Sequence, residues 1–178
     1  MAGRVTPEVA WGRALSWPDA LAGESDLHLS ADAKTRLAIV RDLDLEGLAR
    51  LDAQLTLRPW LDGVSIKGRL EGVATRICGL SLEPFDVAID EPIDVRIVPA
   101  GSPNAPQFDE EVIVDLDAED PPDIAEGGVI DLAAYLVEAL ALALDPFPRK
   151  PGAVFEPPEP TAPISPFAAL SAMTKHPS

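Results

Sequence analysis

The chain has little cysteine, few aromatic side chains and no long hydrophobic run. A single cysteine among 178 residues excludes an intramolecular disulfide and favours a reducing compartment. The N-terminal MAGRVTPEVAWGR has no continuous apolar segment, so we expect no signal peptide. No stretch reaches the roughly 20 apolar residues that a membrane span needs. These absences predict a cytoplasmic protein with no membrane partner.

Basic residues are also scarce, and their distribution is uneven. The chain holds 14 Lys and Arg against 30 Asp and Glu, a formal net charge of -16. Residues 1–76 are nearly neutral, with 10 basic and 11 acidic residues, whereas residues 77–178 hold 4 and 19. Because phosphate contacts dominate nucleic-acid affinity, this balance argues against non-specific RNA binding and against DNA. It favours a basic protein as the partner.

The chain lacks the side-chain groupings that most metal and catalytic sites need. Structural zinc requires several Cys or His ligands, and this chain offers Cys78 and two distant histidines, His28 and His176. No histidine lies near Cys78 in sequence to act as a base, so we interpret Cys78 as a small buried residue at a strand end. We therefore expect no enzymatic activity, no metal and no cofactor.

Acidic residues concentrate at 109–126, which holds nine of them and no basic residue. Four have the density of a Ca²⁺ or Mg²⁺ site: Asp115, Asp117, Glu119 and Asp120. They lack the glycine and the closing glutamate spacing of an EF-hand loop. We interpret the stretch as a solvated acidic loop, mobile over 117–128, within an irregular region at about 100–128 that includes a short strand candidate, Val112–Leu116.

Alternation of apolar and polar residues marks the middle of the chain as β-sheet. Three runs have this period of two, and they span Arg50–Leu61, Val64–Ile77 and Phe85–Val98. Asp62-Gly63 is typical of a tight hairpin turn, and a change of phase near Gly72 predicts a β-bulge. The three runs predict an antiparallel meander with one apolar face that another element must cover.

Two further features belong to this predicted sheet. Pro84 and Pro92 place the last run at a sheet edge or at a bulge, because proline cannot donate to a central ladder. Two earlier segments, Pro7–Leu15 and Glu24–Leu29, are additional strand candidates.

An apolar C-terminal helix over 131–144 is the best candidate to cover the sheet. Asp131 is its predicted N-cap, and Pro146 ends it near Asp145. Spacings of three and four put six residues on one helix face: Leu132, Tyr135, Leu136, Ala139, Leu140 and Ala143. Leu142 and Leu144 widen this apolar surface.

Glu138 is the one charge within that helix. A buried carboxylate needs a charge partner or hydrogen bonds. We therefore expect Glu138 to form a structural ion pair under the sheet, with Arg76 or Arg69 as its partner.

Shorter helices are predicted ahead of the meander. Ser30 is the expected N-cap of a helix over 31–41, with Leu37 and Val40 facing inward. Residues 17–22 and 44–49 have the pattern of shorter helical turns. Together these elements predict an α+β fold, in which an antiparallel sheet packs against the C-terminal apolar helix and a shorter N-terminal helix.

The domain organisation follows from composition. Residues 1–155 are expected to form a single α+β domain, and the chain to be a monomer. Residues 156–178 form a Pro-rich tail without periodicity until Pro166-Phe167-Ala168-Ala169-Leu170, and we expect it to be mostly disordered. Phe167 and Leu170 have the pattern of a short docking motif.

Three segments resemble a known family. They are TRICGLSLEPF (residues 75–85) followed by IDEP (89–92), IDL (130–132) through Glu138 to LALDPFPRKPG (142–152), and PFAAL (166–170). In this order they resemble the YceD family of large ribosomal RNA subunit accumulation proteins, in its alphaproteobacterial form. The resemblance maps onto ten motif or structural residues: Arg76, Cys78, Leu82, Glu83, Pro84, Asp131, Leu132, Glu138, Asp145 and Pro146.

The resemblance implies a non-enzymatic role in producing or stabilising the large-subunit (23S) ribosomal RNA. The partners would be the precursor of that RNA or basic ribosomal proteins. One departure stands out, since many family members carry a second cysteine three residues after the first, where this chain has Ser81. The chain therefore cannot build a zinc site of that kind alone.

Two groups of residues are candidates for binding a partner. Arg149 and Lys150 follow the C-terminal helix in a segment that Phe147, Pro148 and other prolines stiffen. They either interact with the helix end or form a small basic site for phosphate or an acidic partner. The alternative is a site-specific RNA-binding surface on the sheet, formed by three basic residues: Arg58, Lys67 and Arg69. A metal-dependent nuclease that uses the acidic loop is a third hypothesis.

Overall fold

The computed structural model describes residues 8–12, 14–106 and 120–155. Its strands are β1 Glu8–Ala10, β2 Leu15–Ser16, β3 Ser25–Ser30, β4 Gly47–Trp60, β5 Gly63–Ile77, β6 Pro84–Pro99, β7 Asp123–Ala125 and β8 Val129–Ile130. Its helices are α1 Trp17–Leu21, α2 Ala33–Asp42 and α3 Leu132–Ala143. This combination confirms the predicted α+β class.

Most of the described strands join in one sheet of order β1-β3-β4-β5-β6-β7. Strands β3 to β6 pair antiparallel, whereas β1 and β7 add to the edges in parallel. A separate antiparallel pair, β2 and β8, joins the entry to α1 with the entry to α3. The predicted meander is therefore present, and it is extended at both edges.

The three long strands divide cleanly into an apolar and a polar face. Leu57, Ile66 and Val95 lie directly opposite one another on the inner face. The adjacent row on the outer face is Thr56, Lys67 and Asp94. Because side chains alternate along a strand, this register buries the apolar set together and leaves the polar set in water.

Helix α3 covers the inner face as the sequence predicts. Asp131 caps it, since its Oδ1 accepts a hydrogen bond from the Ala134 N–H at 3.2 Å. Leu132, Leu136 and Leu140 are 2%, 1% and 0% exposed, and they form the stripe that packs on the core. Their spacing of four places them on one side of the helix, against β5 and β6.

The helices before the meander differ from the prediction in detail. Helix α1 lies at the predicted place, but α2 begins after Asp32, whose Oδ1 accepts from the Thr35 N–H at 2.7 Å, and not after Ser30. Ile39 is its buried residue, whereas Leu37 is 60% exposed. The predicted N-cap was wrong because Ser30 still belongs to β3, where it pairs with Asp52.

Residues 44–49 do not form the predicted helical turn. β4 begins at Gly47, and Leu48 already pairs with Ala74. The bulge lies at this point too, at Ala49 between Leu48 and Arg50, and not at Gly72. The hairpin between β4 and β5 turns at Leu61 and Asp62, one residue before the predicted pair.

The edges of the sheet carry the remaining differences. Pro84 and Pro92 lie in β6, which pairs with β5 along one side. On its other side, the described residues place only β7, which pairs with Ile97–Pro99, so both prolines lie on an open edge of the strand. The predicted first strand, Pro7–Leu15, is instead two short strands, and the predicted acidic loop contains β7. The strand candidate at 112–116 and the tail at 156–178 lie outside the described residues. Among those described, no helix is long and apolar enough to cross a membrane.

Gly68 marks a point where the strands approach unusually closely. A Cβ at Gly68 would overlap the carbonyl oxygen of Gln54 and lie 2.9 Å from Leu55 Cα. Backbone atoms of β4 cannot move aside without breaking the ladder. Only glycine therefore fits at this position without displacing the β4 backbone.

We expect Gly68→Ala to lower the free energy of unfolding by about 1–3 kcal/mol, because the added methyl group overpacks against the β4 backbone. Urea unfolding followed by circular dichroism measures the change. Gly12→Ala is the matched control, since a Cβ at Gly12 meets no atom within 4 Å. Equal unfolding midpoints for the two variants would contradict this reading of the sheet.

Candidate functional site

The chain that leaves α3 folds back onto the β5–β6 hairpin. We call residues 78–83 the Cys78 turn and residues 145–152 the exit segment. The Gly79 N–H donates to the Pro148 carbonyl at 2.9 Å, and the Lys150 N–H donates to Cys78 Sγ at 3.3 Å. The contact joins residues about 70 positions apart, and it brings together most of the motif residues that carry the family resemblance.

Cys78 lies at the centre of this contact and is fully buried. Its sulfur accepts backbone N–H bonds from Leu80 and Ser81, both at 3.4 Å, in addition to the bond from Lys150. These hydrogen bonds lower the pKa of Cys78 to about 6. The largest effect comes from the Ser81 side chain, followed by the Ser81 N–H and then the Lys150 N–H. The predicted burial is confirmed, and the sulfur acts as the acceptor that holds two segments together.

The turn itself is closed by backbone hydrogen bonds. The Cys78 N–H donates to the Glu83 carbonyl, and the Leu82 N–H donates to the Cys78 carbonyl, both at 2.9 Å. Leu82 adopts a positive φ of 57°. A tight loop of this kind points successive N–H groups inward, which is how Leu80 and Ser81 come to face the sulfur.

Lys150 also makes an ion pair across the junction. Its Nζ lies 2.8 Å from Glu83 Oε2, and this contact raises the pKa of Lys150 and lowers that of Glu83. Lys150 therefore does not bind the end of α3. Arg76 contacts the chain just after the helix, through a hydrogen bond from its Nη2 to the carbonyl of Asp145, two residues beyond Ala143, at 3.3 Å.

Arg149 differs from its neighbour. It is exposed, and among the described residues it has no carboxylate partner. Phe147, two residues earlier, is 77% exposed, and its N–H donates to Asp145 Oδ1 at 2.8 Å. Of the partner-binding residues predicted in the exit segment, Arg149 and Phe147 are thus accessible and Lys150 is already neutralised.

The basic residues predicted for RNA binding lie on the outer face of the sheet, as alternation indicates. Each has a carboxylate beside it, however. Arg58 Nε is 3.2 Å from Glu24, Lys67 Nζ is 2.8 Å from Asp94, and Arg69 Nε is 2.9 Å from Asp90. All of these side chains are exposed, so each pair contributes little to stability. Their effect is to cancel the positive charge of the face.

Glu138 is not buried, and the predicted ion pair with Arg76 or Arg69 was wrong. Arg76 contacts the Asp145 carbonyl, and Arg69 pairs with Asp90. Glu138 lies two residues from both Leu136 and Leu140, which is about 200° around a helix axis. It therefore projects away from the sheet that those leucines contact.

Glu138 instead lines a concave surface of about 450 Å³ between β7 and α3. We call it the acidic groove. Among the described residues, its lining includes no basic side chain and four carboxylates: Asp123, Glu126, Asp131 and Glu138. Tyr135 lies among them, and burial, followed by the charges of Asp123 and Glu138, raises its pKa to about 12.

No group of three or more His, Cys, Asp or Glu within the described residues is arranged to hold a metal ion. Asp120 is the described member of the proposed Ca²⁺ or Mg²⁺ set, and it is exposed. Asp115, Asp117 and Glu119 lie outside the described residues.

Three features were missed by sequence reasoning. The contact between Cys78 and Lys150 joins segments that are distant in sequence, and no local sequence pattern predicts it. The charge pairs on the outer face require strand register, because each partner belongs to a different strand. The exposure of Glu138, in contrast, was available from helical spacing, since it falls between the buried leucines.

A family model described as large ribosomal RNA subunit accumulation protein YceD matches residues 66–172. The chain belongs to the YceD family. The match begins within β5 and includes the Cys78 turn, β6, α3 and the exit segment, so the YceD pattern covers the whole junction. A search of curated proteins and a search of solved structures find no match. The junction and the acidic groove are therefore interpreted from this chain's own geometry.

We expect the stabilising effect of Cys78 to depend on pH. The hydrogen bonds in the folded chain lower the pKa of Cys78 from its ordinary value of 9.0 to about 6. Because folding lowers this pKa, the associated stability is present above about pH 9 and is lost as the pH falls through about 6. The urea midpoint of the wild type should therefore rise relative to that of Cys78→Ser between these pH values.

Cys78→Ser is the appropriate reference because its hydroxyl keeps an acceptor but does not titrate in this range. A difference in midpoint that stays constant from pH 6 to pH 9 would show that the folded and unfolded thiols titrate alike. That result would remove the thiolate from this account of the junction.

Proposed function

We propose that this protein is a non-enzymatic, cytoplasmic ribosome-biogenesis factor that supports accumulation of the large-subunit ribosomal RNA. The family match over residues 66–172 carries this proposal. The described residues that resemble the family motif make structural contacts: Cys78, Arg76 and Asp131 hold backbone groups in place. A chain whose motif residues build a scaffold is suited to act by binding.

The partner class that the surface favours is a basic ribosomal protein. The three sheet cations with the best placement for RNA are each paired with a carboxylate, so that face offers little net attraction to phosphate. The chain as a whole carries a net charge of -16. A surplus of this size accelerates encounter with a positively charged partner and repels nucleic acid.

The acidic groove is the part of this surface best shaped to receive a basic side chain. Four carboxylates line it, and Ile124 and Val129, 41% and 44% exposed, give it an apolar margin. The aliphatic stem of Lys or Arg can lie along such a margin while its charged end reaches the carboxylates. Association through this groove should weaken as the salt concentration rises.

A second candidate is direct RNA binding, and one observation favours it. Trp60, Arg58 and Lys67 line a groove of about 400 Å³ at the end of the β4–β5 hairpin. The Arg96 guanidinium lies 5.3 Å from the centroid of the Trp60 ring. Aromatic and basic residues in this combination stack and neutralise single-stranded nucleic acid in other proteins. The charge pairs on this face place RNA binding second.

The test is the ratio of large-subunit to small-subunit ribosomal RNA in cells that lack the gene. We expect a lower ratio, restored by the wild-type gene and not by a variant with Glu126→Lys and Glu138→Lys. Asp42→Lys with Glu46→Lys is the matched control, since it changes the net charge equally at exposed residues of and near α2. If the control variant restores the ratio and the groove variant does not, the negative charge that the function requires lies in the acidic groove.

A normal ratio in the deletion strain would overturn the proposed function itself. If the deletion has its effect but the groove variant restores the ratio, binding through the groove is wrong and the function stands. In that case a variant with Arg58, Lys67 and Arg69 neutralised tests the RNA alternative. Its failure to restore the ratio would favour contact with RNA through the sheet.

A further inference from the structure

Four large apolar side chains on or next to the segments of the junction are exposed. Leu82 is 75% exposed, Phe147 is 77% exposed, and Val154 and Phe155 are 79% and 63% exposed. We call these four residues the apolar patch. Leu82 belongs to the Cys78 turn and Phe147 to the exit segment, and these two segments are hydrogen-bonded to each other. Val154 and Phe155 follow a turn closed by the Ala153 N–H, which donates to the Lys150 carbonyl at 3.0 Å. Exposed large apolar side chains on segments that contact each other are a feature of interaction sites.

Leu82 is held there at a cost in backbone energy. Its φ of 57° lies in the left-handed region, which disfavours bulky residues. A polar residue such as Asn tolerates this conformation better than Leu does. The turn therefore fixes the Leu82 side chain in an exposed position. Leu61 shares both features, but it lies at the other end of β5 and not beside the exit segment.

The charged residues beside the patch indicate what kind of segment can bind there. Lys150 is neutralised by Glu83, whereas Arg149 has no carboxylate partner among the described residues. The surface therefore combines apolar contact area with one available cation. The complementary occupant is a segment with several apolar anchors and at least one carboxylate.

The rest of this chain contains such a segment. The described residues end at Phe155, which belongs to the patch, and 23 residues follow it. These include Glu156 and Glu159 and then three large apolar residues: Ile164, Phe167 and Leu170. Phe167 lies 12 positions after Phe155, which allows a reach of up to about 40 Å in an extended chain. The family match continues to residue 172, so it includes these apolar residues.

We propose that the tail, through Ile164, Phe167 and Leu170, docks on the apolar patch of its own chain, with Arg149 facing Glu156 or Glu159. The inference does not rest on the proposed function. It assigns to Leu82 and Phe147 the role of anchors for an intramolecular contact, which would shield the junction from other apolar surfaces.

Amide hydrogen exchange of the full chain, followed by mass spectrometry, tests this contact. Exchange over residues 164–170 should be slowed about tenfold or more relative to an unstructured peptide of the same sequence. Leu82→Asn with Phe147→Ser should remove that protection. Leu61→Asn is the matched control, since Leu61 is also left-handed, with a φ of 54°, and 64% exposed, at the other end of β5.

Each outcome decides the proposal. Protection lost with Leu82→Asn and Phe147→Ser, kept with Leu61→Asn and independent of protein concentration supports it. Unprotected exchange in the wild type overturns it, as does protection that survives the double substitution. Protection that disappears on dilution overturns it in favour of a second copy of the chain.

A second experiment tests the same contact with substitutions in the tail, so that the junction itself is unchanged. Phe167→Ser with Leu170→Ser leaves all described residues unchanged. It should increase the fluorescence of a hydrophobic dye such as ANS, because the patch becomes uncovered. Unchanged dye fluorescence in this variant would also overturn the proposal.

Discussion

The hydrogen bonds onto Cys78 Sγ connect the two halves of the family pattern. Three N–H groups converge on this atom, two from its own turn and one from Lys150 after the C-terminal helix. The sulfur shares this task with two other contacts between the turn and the exit segment, the Gly79 N–H to Pro148 carbonyl bond and the Lys150–Glu83 ion pair. Together these contacts fix the position of the exit segment relative to the β5–β6 hairpin.

The sheet and α3 supply the frame for that contact, and much of this frame follows from sequence. Period-two alternation identifies β4, β5 and β6, because one face of each strand is buried and the other is solvated. Spacings of four identify the buried stripe of α3, and Asp131 identifies its start. The wrong predictions lie mostly at the ends of elements, at the start of α2, the start of β4 and the bulge at Ala49. Pairing between neighbouring strands determines these positions, and local sequence propensity does not report that pairing.

The candidate site was less accessible to sequence reasoning. The outer-face location of Arg58, Lys67 and Arg69 is predictable, but their neutralisation by Glu24, Asp94 and Asp90 depends on which strands are neighbours. Register thus turns a basic stripe into a nearly neutral face. The acidic groove is formed within residues 123–138, whereas the apolar patch combines Leu82 with residues at 147–155 that are distant from it in sequence.

Amide exchange at the junction tests the central claim most directly. If Cys78 Sγ holds the exit segment, the N–H groups of Lys150 and Gly79 exchange slowly in the wild type. In Cys78→Ala the Lys150 N–H should lose its protection, while the N–H groups in the middle of β5 keep theirs. A Lys150 N–H that exchanges at the rate of an unstructured chain in the wild type, or that is equally protected in Cys78→Ala, would contradict the account.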